Sequence, residues 1–98
     1  MVFYDVASLG TYGEIHCTDC SQLEILEQEL RKVVPGIKTT DEICGIDGKR
    51  CGLRFEKGLD VFFKGRIVWW ITQQLSSSGW ELITVDAGTR YFKRVRVT

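Results

Sequence analysis

The segment His16-Cys17-Thr18-Asp19-Cys20 holds the densest set of reactive side chains in the sequence. Two cysteines with two residues between them can bend around one Zn²⁺, and Cys44 and Cys51 are available to complete a tetrahedral set. The second pair fits less well: six residues separate Cys44 from Cys51, where zinc sites commonly use about two to four. A redox reading is also open, because a Cys-x-x-Cys ahead of a helix sets Cys20 near the positive helix end, which lowers a thiol pKa. A thioredoxin-like site, however, carries Trp-Cys-Gly-Pro-Cys with a distant proline opposite it, and the only proline here is Pro35, at the end of a predicted helix. Against both stands the plain reading of these cysteines as small apolar fillers or surface thiols.

Acid–base catalysis has little to build on. His16 is the single histidine, and Asp19 lies three residues away as its one alternative partner. The hydroxyl residues cluster at caps and turns, where backbone geometry already accounts for them. The expectation is a protein that is not an enzyme. The run Gly45-x2-Gly48-Lys49-Arg50 departs from a phosphate loop in having two residues rather than four between its glycines and no Ser or Thr after the Lys.

Two further groups invite a binding role. Arg90, Lys93, Arg94 and Arg96 share a terminal strand with Tyr91 and Phe92, a combination that in a nucleic-acid platform stacks bases and meets phosphates. Alternation places Arg90, Phe92, Arg94 and Arg96 on one face, so only one aromatic joins the cationic row. Single-stranded nucleic-acid binding is therefore the lesser alternative, and these residues are read as a protein contact or as the guard of an edge strand. Trp69 and Trp70 are adjacent; on a helix they point about 100° apart, so both cannot enter one core. An exposed indole is the kind of anchor that dominates interface energy. Trp69, Trp70, Arg90, Phe92, Arg94 and Arg96 are the candidate partner-binding residues.

The elements that must position them are read from periodicity. Val2 to Leu9 is a first strand ending at Gly10 and Gly13. Ser21-Gln22-Leu23-Glu24 is a capping-box pattern that opens a helix in which Leu23, Leu26 and Leu30 recur at helical spacing, with bases Arg31 and Lys32 late and Pro35-Gly36 as the stop. Asp47-Gly48 is a favoured two-residue hairpin turn, setting Ile46 opposite Lys49 and Cys44 opposite Cys51. That pair is hydrogen-bonded, where Cβ vectors suit a bridge poorly, so free thiols are expected. Leu59, Val61 and Phe63 alternate as a further strand, and Ile67, Ile71 and Leu75 mark a second helix that Gly79 ends. Trp80 to Val85, a turn at Asp86-Ala87-Gly88-Thr89, and Arg90 to Val97 close the chain as a hairpin.

The order is β-α-β-β-β-α-β-β, which predicts an α+β fold: one antiparallel sheet of about four to five strands with two helices packed on one face. At 98 residues and 44% hydrophobic, residues 1–98 build one domain and one core. Thirteen bases balance thirteen acids, which indicates neither a nucleic-acid nor a membrane-surface protein. Residues 1–49 hold nine acids and four bases, and residues 50–98 the reverse, an asymmetry that cancels if the halves interleave in one sheet. No apolar stretch approaches the roughly 20 residues of a membrane span. Met1-Val2-Phe3-Tyr4-Asp5 has no basic region ahead of an apolar one, so a cytoplasmic chain that starts here is expected.

Leu75-x3-Gly79-Trp80-x-Leu82, then Gly88, then Tyr91-Phe92-Lys93-Arg94 resembles the C-terminal part of the GTP cyclohydrolase feedback regulatory proteins and the C-terminal domains of proteins carrying a potassium-channel tetramerisation domain. A small bacterial domain family of unknown function has a similar Gly-Trp-Glu-Leu ending. The resemblance is confined to the segment that begins near Leu75. It implies an accessory or regulatory domain that assembles, often into rings, and binds protein. The expected function is a small regulatory or assembly module with a protein partner and a homo-oligomeric form, needing no cofactor, with a zinc or thiol site at Cys17, Cys20, Cys44 and Cys51 as the alternative.

Overall fold

Alternation along Val2–Leu9 (β1) sends Asp5, Ala7 and Leu9 inward and leaves Tyr4 and Val6 exposed on the other side. The computed structural model describes residues 2–43, 48, 50–55 and 61–97. After β1 the chain turns at Gly13, whose φ of 92° suits glycine, and returns as a three-residue strand, Ile15–Cys17 (β2), with Leu9 opposite Ile15 and Ala7 opposite Cys17. This strand was not expected, because three residues are too few to display a period.

Helix α1 runs from Cys20 to Val33. Its cap is Asp19, whose carboxylate accepts from the Ser21 N–H at 3.0 Å, so the predicted Ser21–Glu24 box gives way to a cap two residues earlier. Leu23, Leu26 and Leu30 are buried as their spacing predicts, each contributing about 1.5–3 kcal/mol of transfer free energy. That exceeds the roughly 1 kcal/mol of a cap, so packing rather than capping sets where the helix lies.

Thr39–Ile43 (β3) pairs antiparallel with Arg50–Phe55 (β4). The ladder has a bulge: Glu42 faces Gly52, but Ile43 faces Arg50, so Cys51 is the extra residue. The predicted register, which would set Ile43 against Gly52, is corrected by that bulge. Asp47 and Cys44 lie outside the described residues, and Gly48 has a φ of 72°.

The strand predicted around Leu59 to Lys64 is a second correction, since α2 begins at Val61 and continues to Ser77. A short apolar run satisfies either period, and here it extends a helix whose Ile67, Ile71 and Leu75 already point at the core. The α2 terminus follows the glycine expectation. Gly79 has a φ of 89°, its N–H donates to the Ser76 carbonyl at 3.2 Å, and the Trp80 N–H donates to the Leu75 carbonyl at 3.0 Å, the paired bonds of a Schellman motif. Glu81–Asp86 (β5) and Thr89–Val97 (β6) then form a hairpin closed by Ala87-Gly88.

Among the described residues, six strands join one antiparallel sheet in the order β3-β4-β2-β1-β6-β5, one or two strands more than predicted. Ala7, Leu9, Ile15, Cys17, Leu53 and Phe92 from one face of that sheet, with Leu23 and Leu26 of α1 and Ile67, Val68, Ile71 and Leu75 of α2, make a single buried cluster. Strands of both halves share the sheet, with β4 set between β3 and β2 and β6 beside β1, and Arg94 with Asp5 and Asp19, Arg50 with Glu27 and Asp41, and Arg54 with Glu42 pair bases of the second half with acids of the first. The charge asymmetry along the chain is thereby cancelled in space. Among the described residues, no helix is long and apolar enough to cross a membrane.

Candidate partner-binding surfaces

The three indoles meet three different fates. Trp80, at the α2–β5 corner, is 3% exposed; its ring N–H donates to the Gln22 side-chain oxygen at 3.1 Å and joins α2 to α1. Trp70 is half-buried against the core cluster. Trp69, one helical position away, is 64% exposed. The angular argument for adjacent indoles is thus met, with Trp69 the outward member. Beside it lies a groove of about 290 Å³ lined by Leu30, Val33 and Val34 from the end of α1 and by Arg66, Ile67, Trp69 and Trp70 from α2. Val33 is exposed at its rim.

The terminal strand behaves otherwise than expected. The face shared by Arg90, Phe92, Arg94 and Arg96 is the helix-covered face, so Phe92 is 0% exposed and belongs to the core rather than to a partner site. Arg94 is committed inside the subunit: its guanidinium pairs with Asp5 and Asp19, donates to Gln22 at 3.3 Å and lies 4.6 Å from the centroid of the Trp80 ring. Arg90 is half-buried, and the Arg96 side chain lies outside the described residues. β6 also sits between β1 and β5, so its bases guard no edge. The cationic platform needed for nucleic acid is therefore dismantled by burial of its aromatic and neutralisation of its central arginine.

The cysteine segment is likewise split by alternation. His16 points to the uncovered face, where its Nε2 bonds to Glu42, while Cys17 points into the core. The hydrogen bond from His16, with Arg54 beside it, holds the Glu42 carboxyl below its usual range. The acid considered as partner for His16, Asp19, is instead the cap of α1 and a ligand of Arg94. Burial pushes the Cys17 thiol up to about 11, which holds it neutral at ordinary pH. The Cys20 thiol donates to the Arg50 carbonyl at 2.8 Å. Cys51 is disulfide-bonded, which corrects the expectation of a free thiol there; Cys44, its expected hairpin neighbour, lies outside the described residues. A zinc set or a reactive thiol pair needs thiolates, and Cys17 and Cys51 do not offer them in this state. Among the described residues, no group of three or more His, Cys, Asp or Glu is arranged to hold a metal ion.

A second apolar surface escaped the sequence reading. Tyr4, Val6, Tyr91 and Val95 are exposed on the face of the sheet that carries no helix, beside a shallow cavity of about 410 Å³ lined by Val6, Ser8, His16, Thr18, Cys51 and Tyr91. The signal was present: β1 is apolar at both its odd and its even positions, the pattern of a strand covered on two sides. In comparisons with known proteins, the chain matches no family model, no curated protein and no solved structure.

Proposed function

We propose that this chain is a small non-enzymatic regulatory or assembly module that binds a protein partner at the α1–α2 groove, with Trp69 as its anchor. The observation that carries this reading is an indole 64% exposed at the lip of an apolar groove. Apolar area of this size left in water is unfavourable, and tryptophan in a central pocket is the residue type that most often dominates binding. A partner would add an apolar side chain to the groove between Val33 and Trp70. The resemblance of the C-terminal segment to regulatory and assembly domains points the same way. Basic residues of β6 have no part in it.

The test is recovery of partners from the native cell with the wild-type chain and with Trp69→Ala as bait. Because Trp69 touches little of its own core, the substitution is expected to keep the fold, checked by circular dichroism, while removing the specifically recovered proteins. Trp70→Ala is unsuitable as the probe, since Trp70 packs on the core. Identical recovery with both baits would end this reading.

A further inference from the structure

We propose that the uncovered face of the sheet is where two copies of this chain meet, through Tyr4, Val6, Tyr91 and Val95. An antiparallel sheet with helices on one side ordinarily alternates apolar inward and polar outward. Here the central strands break that rule. Residues directly opposite each other share a face, and the register pairs Tyr4 with Val95, Val6 with Lys93 and Ser8 with Tyr91. The centre of the outer face is therefore a patch of two exposed tyrosines and two exposed valines, with Lys93 and Ser8 among them.

The charges around this patch are of both signs. Lys93 lies 5.2 Å from the Tyr4 ring centroid and directly across the ladder from Glu81. His16 and Arg54 both meet Glu42. The described part of the face thus carries charges of both signs, Lys93 across from Glu81 and Arg54 beside Glu42, around an apolar centre, a mixture that a second copy of the same face can complement. Interfaces between identical subunits are the more apolar class, and a two-fold axis brings the same patch to itself. Area supports the same occupant. Each strand residue covers about 4.8 by 3.4 Å, so six strands ranging from the three residues of β2 to the nine of β6 give the whole face a flat footprint of roughly 600 Å². Side-chain relief brings this near the about 800 Å² that a standard interface takes from each partner.

The edge is the weaker route to a dimer. β5 exposes Leu82, Ile83 and Val85, but a bulge interrupts it between Leu82 and Thr84, and centred antiparallel self-pairing would set Glu81 of one copy against Asp86 of the other. Two sheets facing each other about 10 Å apart, with helices outside, avoid both obstacles.

The proposal is independent of the Trp69 groove, which lies on the helix side, so the two fail separately. Sedimentation equilibrium of the full chain at tens of micromolar reads the outcome. Wild type is expected to dimerise. Val6→Glu places a carboxylate opposite Lys93, tolerable in the monomer but buried in the dimer, and is expected to weaken association at least about 100-fold. Val95→Thr keeps the β-branched shape and is expected to weaken it about tenfold, which preserves the test if Val6→Glu does not fold. Trp69→Ala is expected to leave the dimer intact while losing the groove partner. A monomeric wild type overturns the proposal, whether the face then proves to be covered by another protein or by none. So does a dimer that both valine variants leave unchanged or that Trp69→Ala dissolves.

Discussion

Arg94 lies over Trp80, 4.6 Å from the ring centroid, while its guanidinium holds the buried carboxylate of Asp5 and the capping carboxylate of Asp19. One side chain thereby joins β1, β6, the start of α1 and the corner between α2 and β5.

Replacing Arg94 by Met is expected to cost about 3–5 kcal/mol, because the buried Asp5 carboxylate and the Asp19 carboxylate would lose the guanidinium they share. Arg94→Lys keeps the charge but loses the guanidinium fork and its contact with the Trp80 ring, and should cost about 1–2 kcal/mol. Urea denaturation of the two variants checks the order; equal stability of Arg94→Met and wild type would remove this side chain from the account.

The β5–β6 turn holds Ala87 at a φ of 50° beside Gly88 at 84°, both in the left-handed region. An alanine there carries a Cβ penalty, so Ala87→Gly or Ala87→Asn is expected to stabilise the fold by about 1 kcal/mol. Gly88→Ala is expected to destabilise it by more, since the new Cβ would also stand 2.5 Å from the Thr11 hydroxyl. Thermal unfolding of the three variants reads both signs.

Stability should respond to acid through Glu42. Its folded pKa is depressed below 4.5 by His16 and then Arg54, so its contribution is present above that value and is lost as pH falls through the folded one. His16→Gln removes the larger cause and is expected to flatten the acid limb of the stability profile below pH 4.5. An unchanged limb would show that the His16–Glu42 bond does not persist in solution.

The cysteines give an alkaline counterpart. Cys17 is raised from 9.0 to about 11, so its share of stability is whole below pH 9 and declines between those values as the unfolded thiol ionises first. Cys17→Ala is expected to abolish that decline, and in the folded wild type Cys17 should resist alkylation until denaturant is added. Intact mass should rise by two hydrogens on reduction, the mark of the Cys51 disulfide.

Much of the architecture was legible because it is locally encoded. Leu23, Leu26 and Leu30 announce a helix, Gly79 its successor's end, and Ala87-Gly88 a hairpin, each within a few residues. What stayed hidden depended on distant partners. β2 exists because Leu9 and Leu53 flank Ile15 in the ladder, not because three residues favour extension. The bulge at Cys51 shifts a register that turn chemistry alone set one way. Trp69 was legible as one of two neighbouring indoles that cannot both turn inward. Phe92 and Arg94 were placed correctly on a common face, yet only the position of the helices reveals that this face is the covered one. His16 found Glu42 rather than Asp19 because β3 and β4 carry Glu42 to it across the sheet.

The ladder at the heart of the sheet unites Val2 with Val97 and Leu9 with Arg90, the opening strand of the sequence with its closing one. The strand Thr89–Val97 must therefore emerge before β1 can gain its second neighbour, and α1 and the β3–β4 ribbon wait meanwhile without a keystone. Clipping β6 would not trim a border but part β5 from the rest of the sheet, since β6 is the strand that joins it to β1.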